Sequence, residues 1–178
     1  MNICVFCGSS TGFNPVYADS ARELGILMAS QHHTLIYGGG NIGLMGIVAD
    51  TVIENEGRVI GIIPDFLMQK EVGHKGLTKL EIVGSMHERK KRMADLSDAF
   101  IAMPGGWGTL DETAEILTWK QLGLIHQPIG ILNVNGFFDT FLRQMTVMVE
   151  EGFLKLENFN SIKVSSSPAQ LVSQLIPQ

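Results

Sequence analysis

The sequence predicts an α/β fold: a Rossmann-like, doubly wound parallel sheet flanked by helices on both faces. Three observations predict it. Short apolar runs alternate with segments of helical periodicity along the whole chain. The runs are continuously apolar, as strands buried on both faces must be. Glycine-bearing loops follow three of the runs, each leading into a helix. No linker, charge block or low-complexity tract divides the 178 residues, so residues 1–178 read as one domain. A chain of that length buries roughly 70% of its unfolded surface.

Residues 3–6 form the first strand. Asn14-Pro15 then offers an N-cap with proline at the first helical position, and Ala21, Leu24, Leu27 and Met28 follow at helical spacing. Residues 34–37 form a second strand, succeeded by three glycines and a helix holding Ala49, Val52 and Ile53, which Gly57 ends. Residues 59–63 make the third strand, stopped by Pro64. Residues 65–77 are polar and irregular, with Gly73 and Gly76, and read as a mobile loop or short helix. The fourth strand covers residues 80–83. Ser85 opens a helix with Glu88 three residues on, a capping box. The fifth strand is 99–102, and Thr109 caps the helix after it. Residues 129–132 form the sixth strand, followed by a helix over 138–150, a short strand near 162–164 and a helix capped by Ser167-Pro168.

Composition narrows the function. Thirteen basic against eighteen acidic residues give a net charge of −5, which argues against a nucleic-acid or membrane-surface binder. No apolar run approaches the ~18 residues of a membrane span, and the start lacks the basic region of a signal peptide, so a cytoplasmic location is expected. Cys4 and Cys7 form a Cys-x-x-Cys pair, but Val5-Phe6 between them mark a buried strand, where positions three apart face opposite sides. Two thiols also fall short of a zinc site. No metal or other cofactor is expected.

The three glycine loops are Gly8-Ser9-Ser10-Thr11-Gly12, Gly38-Gly39-Gly40-Asn41-Ile42-Gly43 and Pro104-Gly105-Gly106-Trp107-Gly108-Thr109. With parallel strands they share one edge, where ligands of such sheets lie. Glycines let the backbone approach a ligand closely, and the helix N-termini behind them favour an anion. The second loop matches the dinucleotide pattern G-x-G-x-x-G. The acidic residue that should end the next strand is missing, however, since that strand runs Val-Ile-Gly-Ile-Ile-Pro. No Gly-Lys-Ser/Thr of a P-loop exists either. A ligand carrying one phosphate fits better than NAD or ATP.

Charged residues near this edge stand out. In the helix after Ser85, Met86 and Met93 share a stripe that Arg89 and Lys90 flank, while Lys91 points away. Arg89 suits bidentate contact with phosphate or ribose oxygens. Glu112, three residues after Thr109, reads either as a capping-box glutamate or as a carboxylate able to stabilise an oxocarbenium-like centre or activate water. Ile116 and Trp119 share its face, while Leu110, Ala114 and Leu117 occupy another. A helix apolar on two faces is either deeply buried or part of a subunit interface, and the reading favoured here is a symmetric homodimer contact near the site.

Pro104-Gly105-Gly106-Trp107-Gly108-Thr109-Leu110-Asp111-Glu112, with Met86-His87-Glu88-Arg89-Lys90 upstream, resembles the LOG (lonely guy) family. These are cytokinin riboside 5′-monophosphate phosphoribohydrolases, often labelled possible lysine decarboxylases. Val5-Phe6-Cys7-Gly8-Ser9-Ser10 and the segment from Tyr37 through Gly43 to Gly46 are similar to the family's opening segments, and the similarity covers nearly the whole chain. It implies hydrolysis of the N-glycosidic bond of a nucleoside 5′-monophosphate, giving free base and ribose 5-phosphate. Cytokinin riboside 5′-monophosphates are the implied substrates, with AMP a further candidate.

By the family's motif Arg89 and Glu112 are the catalytic pair, and Glu71, Lys90, Gly106, Trp107, Gly108, Thr109 and Thr118 line the nucleotide site. Ser9, Gly39, Gly40, Met86 and Gly105 complete the candidate substrate site. Trp107 stands where the family often has tyrosine, and Asp111 where it often has glutamate. No pyridoxal-phosphate lysine motif supports the decarboxylase label. The competing readings are a nucleotide or molybdopterin-cofactor carrier without chemistry and a dinucleotide-dependent enzyme. Arg89 and Glu112 at the family's spacing favour the hydrolase.

Overall fold

The computed structural model describes residues 1–68, 73, 74 and 76–176. Seven strands form one sheet: β1 (Asn2–Phe6), β2 (Thr34–Tyr37), β3 (Arg58–Pro64), β4 (Lys79–Val83), β5 (Ala99–Ala102), β6 (Ile129–Leu132) and β7 (Lys163–Ser165). Their order is β4-β3-β2-β1-β5-β6-β7, and every neighbouring pair is parallel. Between them run α1 (Val16–Ser30), α2 (Gly43–Glu54), α3 (Asp65–Met68), α4 (Met86–Asp95), α5 (Trp107–Gln121), α6 (Asp139–Glu150), α7 (Leu156–Asn160) and α8 (Pro168–Leu175). A 3-10 turn covers Val134–Gly136. Among the described residues no helix is long and apolar enough to cross a membrane.

The chain builds outward from β1 to β4, then returns to the other side of β1 for β5. That reversal opens a crevice between the carboxyl ends of β1 and β5, the place where doubly wound sheets bind ligands. The two sheet faces carry separate cores. Ile3, Val5, Leu35 and Tyr37 pack with Leu24 and Met28 of α1, Val48 and Val52 of α2 and Leu171 of α8. Cys4, Phe6, Ile36 and Phe100 pack on the opposite face with Met93 of α4 and Ile116 of α5. Cys4 and Cys7 are free, buried and divided between these two cores, as alternation along a strand requires.

Three local expectations are corrected. Thr109 does not cap α5. The helix begins three residues earlier than that cap would place it, at Trp107, with Gly106 at the N-cap, and Thr109 is buried inside the first turn. Pro64 does not stop β3 but closes it, paired with Val83 in register, because the missing N–H falls at the strand's last residue. Pro15 takes the N-cap position of α1 rather than the first helical one, with Asn14 Oδ1 accepting the Val16 N–H at 3.1 Å. The capping box at Ser85 forms: Ser85 Oγ accepts from the Glu88 N–H at 3.1 Å, and Glu88 Oε2 accepts from Gly84 N–H at 2.8 Å.

Candidate active site

The loops after β2, β1 and β5 meet at the crevice and are tied together by backbone. Gly8 N–H donates to Pro104 O at 3.0 Å, and Leu44 N–H donates to Gly8 O at 3.0 Å. Between them lies a cavity of about 170 Å³. Arg89 and Glu112 are its charged lining, joined by Ser9, the run from Gly106 to Thr109, Cys7, Gly8 and Met45.

Arg89 reaches this cavity from α4, whose start is fixed by the Ser85 cap. The residue is only 5% exposed. Its Nη2 donates to Gly38 O at 2.8 Å and its Nε to Ile62 O at 3.2 Å, so one carbonyl just past β2 and one within β3 hold the guanidinium. Nη1 contacts Met86 Sδ at 3.8 Å. Carbonyl dipoles orient the group without neutralising its charge. The close approach is possible because residue 38 is glycine: a Cβ there would overlap Nη2.

On the other wall, α5 points its N-terminus at the cavity. The N–H groups of a helix's first turn have no partner within the helix and carry the positive end of its dipole. Here Gly106 and Gly108 leave that turn uncovered: among the described residues, a Cβ at either would meet nothing within 4 Å. Trp107 between them is 88% exposed. Glu112 follows one turn later and is half-buried. Burial, and then the Glu112 carboxylate, push the Cys7 thiol far above its ordinary range, so Cys7 is a neutral wall and not a nucleophile. The result is a fixed cation, a carboxylate and a bare helix N-terminus around one small volume. That combination suits an anionic ligand on which positive charge develops.

Lys90 lies beside rather than in this cavity. Its Nζ is 2.9 Å from Glu115 Oε2 and 3.1 Å from Asp111 Oδ2. Burial draws the ammonium's pKa down, but hydrogen bonds and charge from Glu115 and Asp111 outweigh it, and the net shift is upward. Of the other predicted residues, Met86 touches Arg89, and Gly105 packs its backbone against Thr109. Gly39 and Gly40 lie behind the cavity, where Gly39 backs onto Ile63 and Gly40 bridges to Gly73. Thr118 is exposed on α5, its Oγ1 donating to Ala114 O at 2.8 Å, and it lines a separate apolar cavity between α5, α6 and α7. Glu71 lies outside the described residues. Sequence reasoning missed Cys7, Gly8 and Met45 as walls. Gly8 stood in a flagged loop, but the other two carry only the pattern of core residues.

A family model described as "Possible lysine decarboxylase" matches residues 45–175. Cytokinin riboside 5′-monophosphate phosphoribohydrolase LOG1 of Arabidopsis thaliana is 45% identical over 173 residues, 97% of this chain and 81% of that protein. The cytokinin riboside 5′-monophosphate phosphoribohydrolase LOG of Oryza sativa subsp. japonica is 46% identical over 168 residues, 94% of this chain and 69% of that protein. Among solved structures, the molybdenum cofactor binding protein of Rippkaea orientalis superposes with a TM-score of 0.72. It is 24% identical and covers 97% of this chain and 93% of its own. The molybdenum cofactor carrier protein of Chlamydomonas reinhardtii gives 0.72 at 21% identity, covering 98% and 96%. At those identities the likeness is one of fold.

Proposed function

The chain belongs to the LOG family of possible lysine decarboxylases, and on that footing we propose that it hydrolyses the N-glycosidic bond of cytokinin riboside 5′-monophosphates, and of AMP, to free base and ribose 5-phosphate. The observation that carries this is the convergence of buried Arg89, Glu112 and the uncovered N-terminus of α5 on one cavity. The carrier reading rests on backbone likeness at 24% identity or below, and it leaves a buried cation facing a carboxylate without a task.

In this proposal the first-turn N–H groups of Gly106, Gly108 and Thr109 bind the 5′-phosphate. Arg89, held by Gly38 O and Ile62 O, orients the ribose phosphate and offsets its charge. Glu112 stabilises positive charge developing at the anomeric carbon and accepts the proton of the attacking water. Water oxygen bonds to that carbon, the bond to the base breaks with its electron pair leaving on the base nitrogen, and a proton equal to the one Glu112 took reaches that nitrogen through solvent to give the free base. Ser9, Gly105 and Trp107 shape the rim, and Met86 supports Arg89. Gly39 and Gly40 act from behind as backbone support, Glu71 is kept as a nucleotide contact on the family's motif, and Thr118, which lines a separate cavity, stands outside this set. The protein works as one nucleotide-binding domain in the cytoplasm and needs no cofactor. It pairs as a homodimer through α5, after whose end Leu122 and Leu124 are 64% and 67% exposed.

Purified protein incubated with AMP and with isopentenyladenine riboside 5′-monophosphate is expected to release free base, followed by chromatography. Glu112→Gln and Arg89→Ala should each lower kcat by about a thousandfold, the scale of a lost charge stabiliser or general base, while circular dichroism remains native. Normal turnover in both variants would remove them from the mechanism.

A further inference from the structure

On α5 the proposed catalytic carboxylate Glu112 is bracketed by two others, and both bind one cation from α4. Lys90 Nζ lies 2.9 Å from Glu115 Oε2 and 3.1 Å from Asp111 Oδ2. The lysine side chain is 13% exposed and that of Glu115 25%, so this contact is largely covered, whereas Asp111 at 61% faces outward. Phe6, Ile116 and Trp119 close a small void around Lys90, Glu112 and Glu115. Glu112 therefore faces two spaces at once, the main cavity and this void. An ammonium has three donors. Two are taken by Glu115 and Asp111, and the ammonium they hold adds its charge beside Glu112. Without those partners the four-carbon stem of a lysine is free to sample many rotamers.

We propose that Glu115, seconded by Asp111, is a positioning residue: it fixes the Lys90 ammonium at the edge of the Arg89–Glu112 cavity, so that the nucleotide meets a cation already in place. The inference rests on reading the cavity as a nucleoside 5′-monophosphate site. It does not depend on hydrolysis. Dipole compensation alone would leave Asp111 and Glu115 interchangeable with any acid in the first turns. Convergence of both on one largely covered lysine from another helix is a more demanding arrangement.

The test compares Lys90→Met, Glu115→Gln, the double variant and Glu115→Asp. AMP affinity is read by tryptophan fluorescence, which Trp107 at the cavity and Trp119 beside Lys90 supply, and base release and Tm are measured in parallel. Lys90→Met and Glu115→Gln should each weaken AMP binding and raise KM by about tenfold with kcat nearly unchanged, the size of one charge-assisted hydrogen bond. The double variant should be no weaker than Lys90→Met alone, because both changes remove the same contact. Glu115→Asp should recover part of the loss.

Losses that multiply to about a hundredfold would overturn the proposal, as would wild-type affinity in Glu115→Gln alone. A fall in Tm with unchanged affinity would reduce Glu115 to a strut between helices and overturn it equally. If the wild type binds AMP but releases no base, the hydrolase reading fails while the affinity measurements still decide this one. If the wild type does not bind AMP, both fall.

Discussion

The glycine loop after β2 and the one after β5 look alike in sequence and do opposite work. In the first, protein occupies the space beside the glycines. A Cβ on Gly38 would overlap Arg89 Nη2, one on Gly43 would overlap the backbone of Ser9, and one on Gly46 would stand 2.7 Å from Asn41 O. In the second, Gly105 is enclosed by Thr109, but Gly106 and Gly108 border open space. The loop that matches the dinucleotide fingerprint is thus a packing device. It brings a carbonyl to Arg89 and seats α2 against the β1 loop. The loop that lacks the fingerprint keeps the bare helix terminus. Glycine marks where something comes close, and only the fold tells whether that something is protein or ligand.

The strongest way to break this comparison is Gly38→Ala. The added methyl must displace the guanidinium and cost its bond to residue 38, a charge-assisted hydrogen bond worth roughly 1.5–3 kcal/mol. The expected outcome is a loss of about a hundredfold or more in kcat/KM, with urea unfolding shifted to lower denaturant by a similar energy. Wild-type activity and midpoint in this variant would mean that the carbonyl does not hold Arg89.

Gly108→Ala should act with the opposite sign on stability. The site lies in the first turn of α5 with nothing near the new methyl, so replacing a helical glycine is expected to stabilise by roughly 0.5–1 kcal/mol. Gly108 lines the cavity proposed to take the phosphate, so KM for AMP should rise about tenfold, the cost of one poorly accommodated contact. A variant that is destabilised, or that keeps its KM, would erase the distinction between the two loops.

The sequence made most of the fold legible for a simple reason. Strands 34–37, 99–102 and 129–132 are continuous apolar runs buried on both faces, and they are found at those limits as β2, β5 and β6. The start of α5 was misread because Thr109-x-x-Glu112 has the same form as Ser85-x-x-Glu88. At Ser85 the serine lies outside the helix with extended backbone, whereas Gly105 and Gly106 complete the turn into α5 before Thr109 is reached. The 3-10 turn and α7 were not foreseen. They are too short, at three and five residues, to carry a period. That Arg89 and Glu112 border the same crevice is legible from motif and spacing. The clamp on Lys90 is not, because Asp111 and Glu115 lie 21 and 25 residues away (111 − 90 and 115 − 90) and meet it only through the packing of α4 against α5. On the helix alone they read as dipole compensation.

The smallest expected effect separates the two regions by what holds them. The loop after β5 is tied down by backbone bonds such as Gly8 N–H to Pro104 O, which do not titrate. The helix that carries Arg89 is instead also tied to β4 by charge. Arg92 Nε donates to Glu81 Oε2 at 2.7 Å and its Nη2 to Oε1 at 3.1 Å, while Lys79 Nζ stands 2.8 Å from Oε1. Hydrogen bonds from Arg92 and then Lys79 pull the Glu81 pKa from its ordinary 4.5 down to about 2. Since the folded carboxyl holds its proton less tightly than the unfolded one, the contribution is complete above about pH 4.5. It fades as the pH falls toward 2. Solvent screening keeps it at about 1 kcal/mol or below. Unfolding free energies measured by urea across that window should fall faster for the wild type than for Glu81→Gln, the two curves converging at the acid end. Other carboxylates titrate in both proteins and cancel in the difference, so parallel curves would mean that the Arg92–Glu81 pair does not anchor α4.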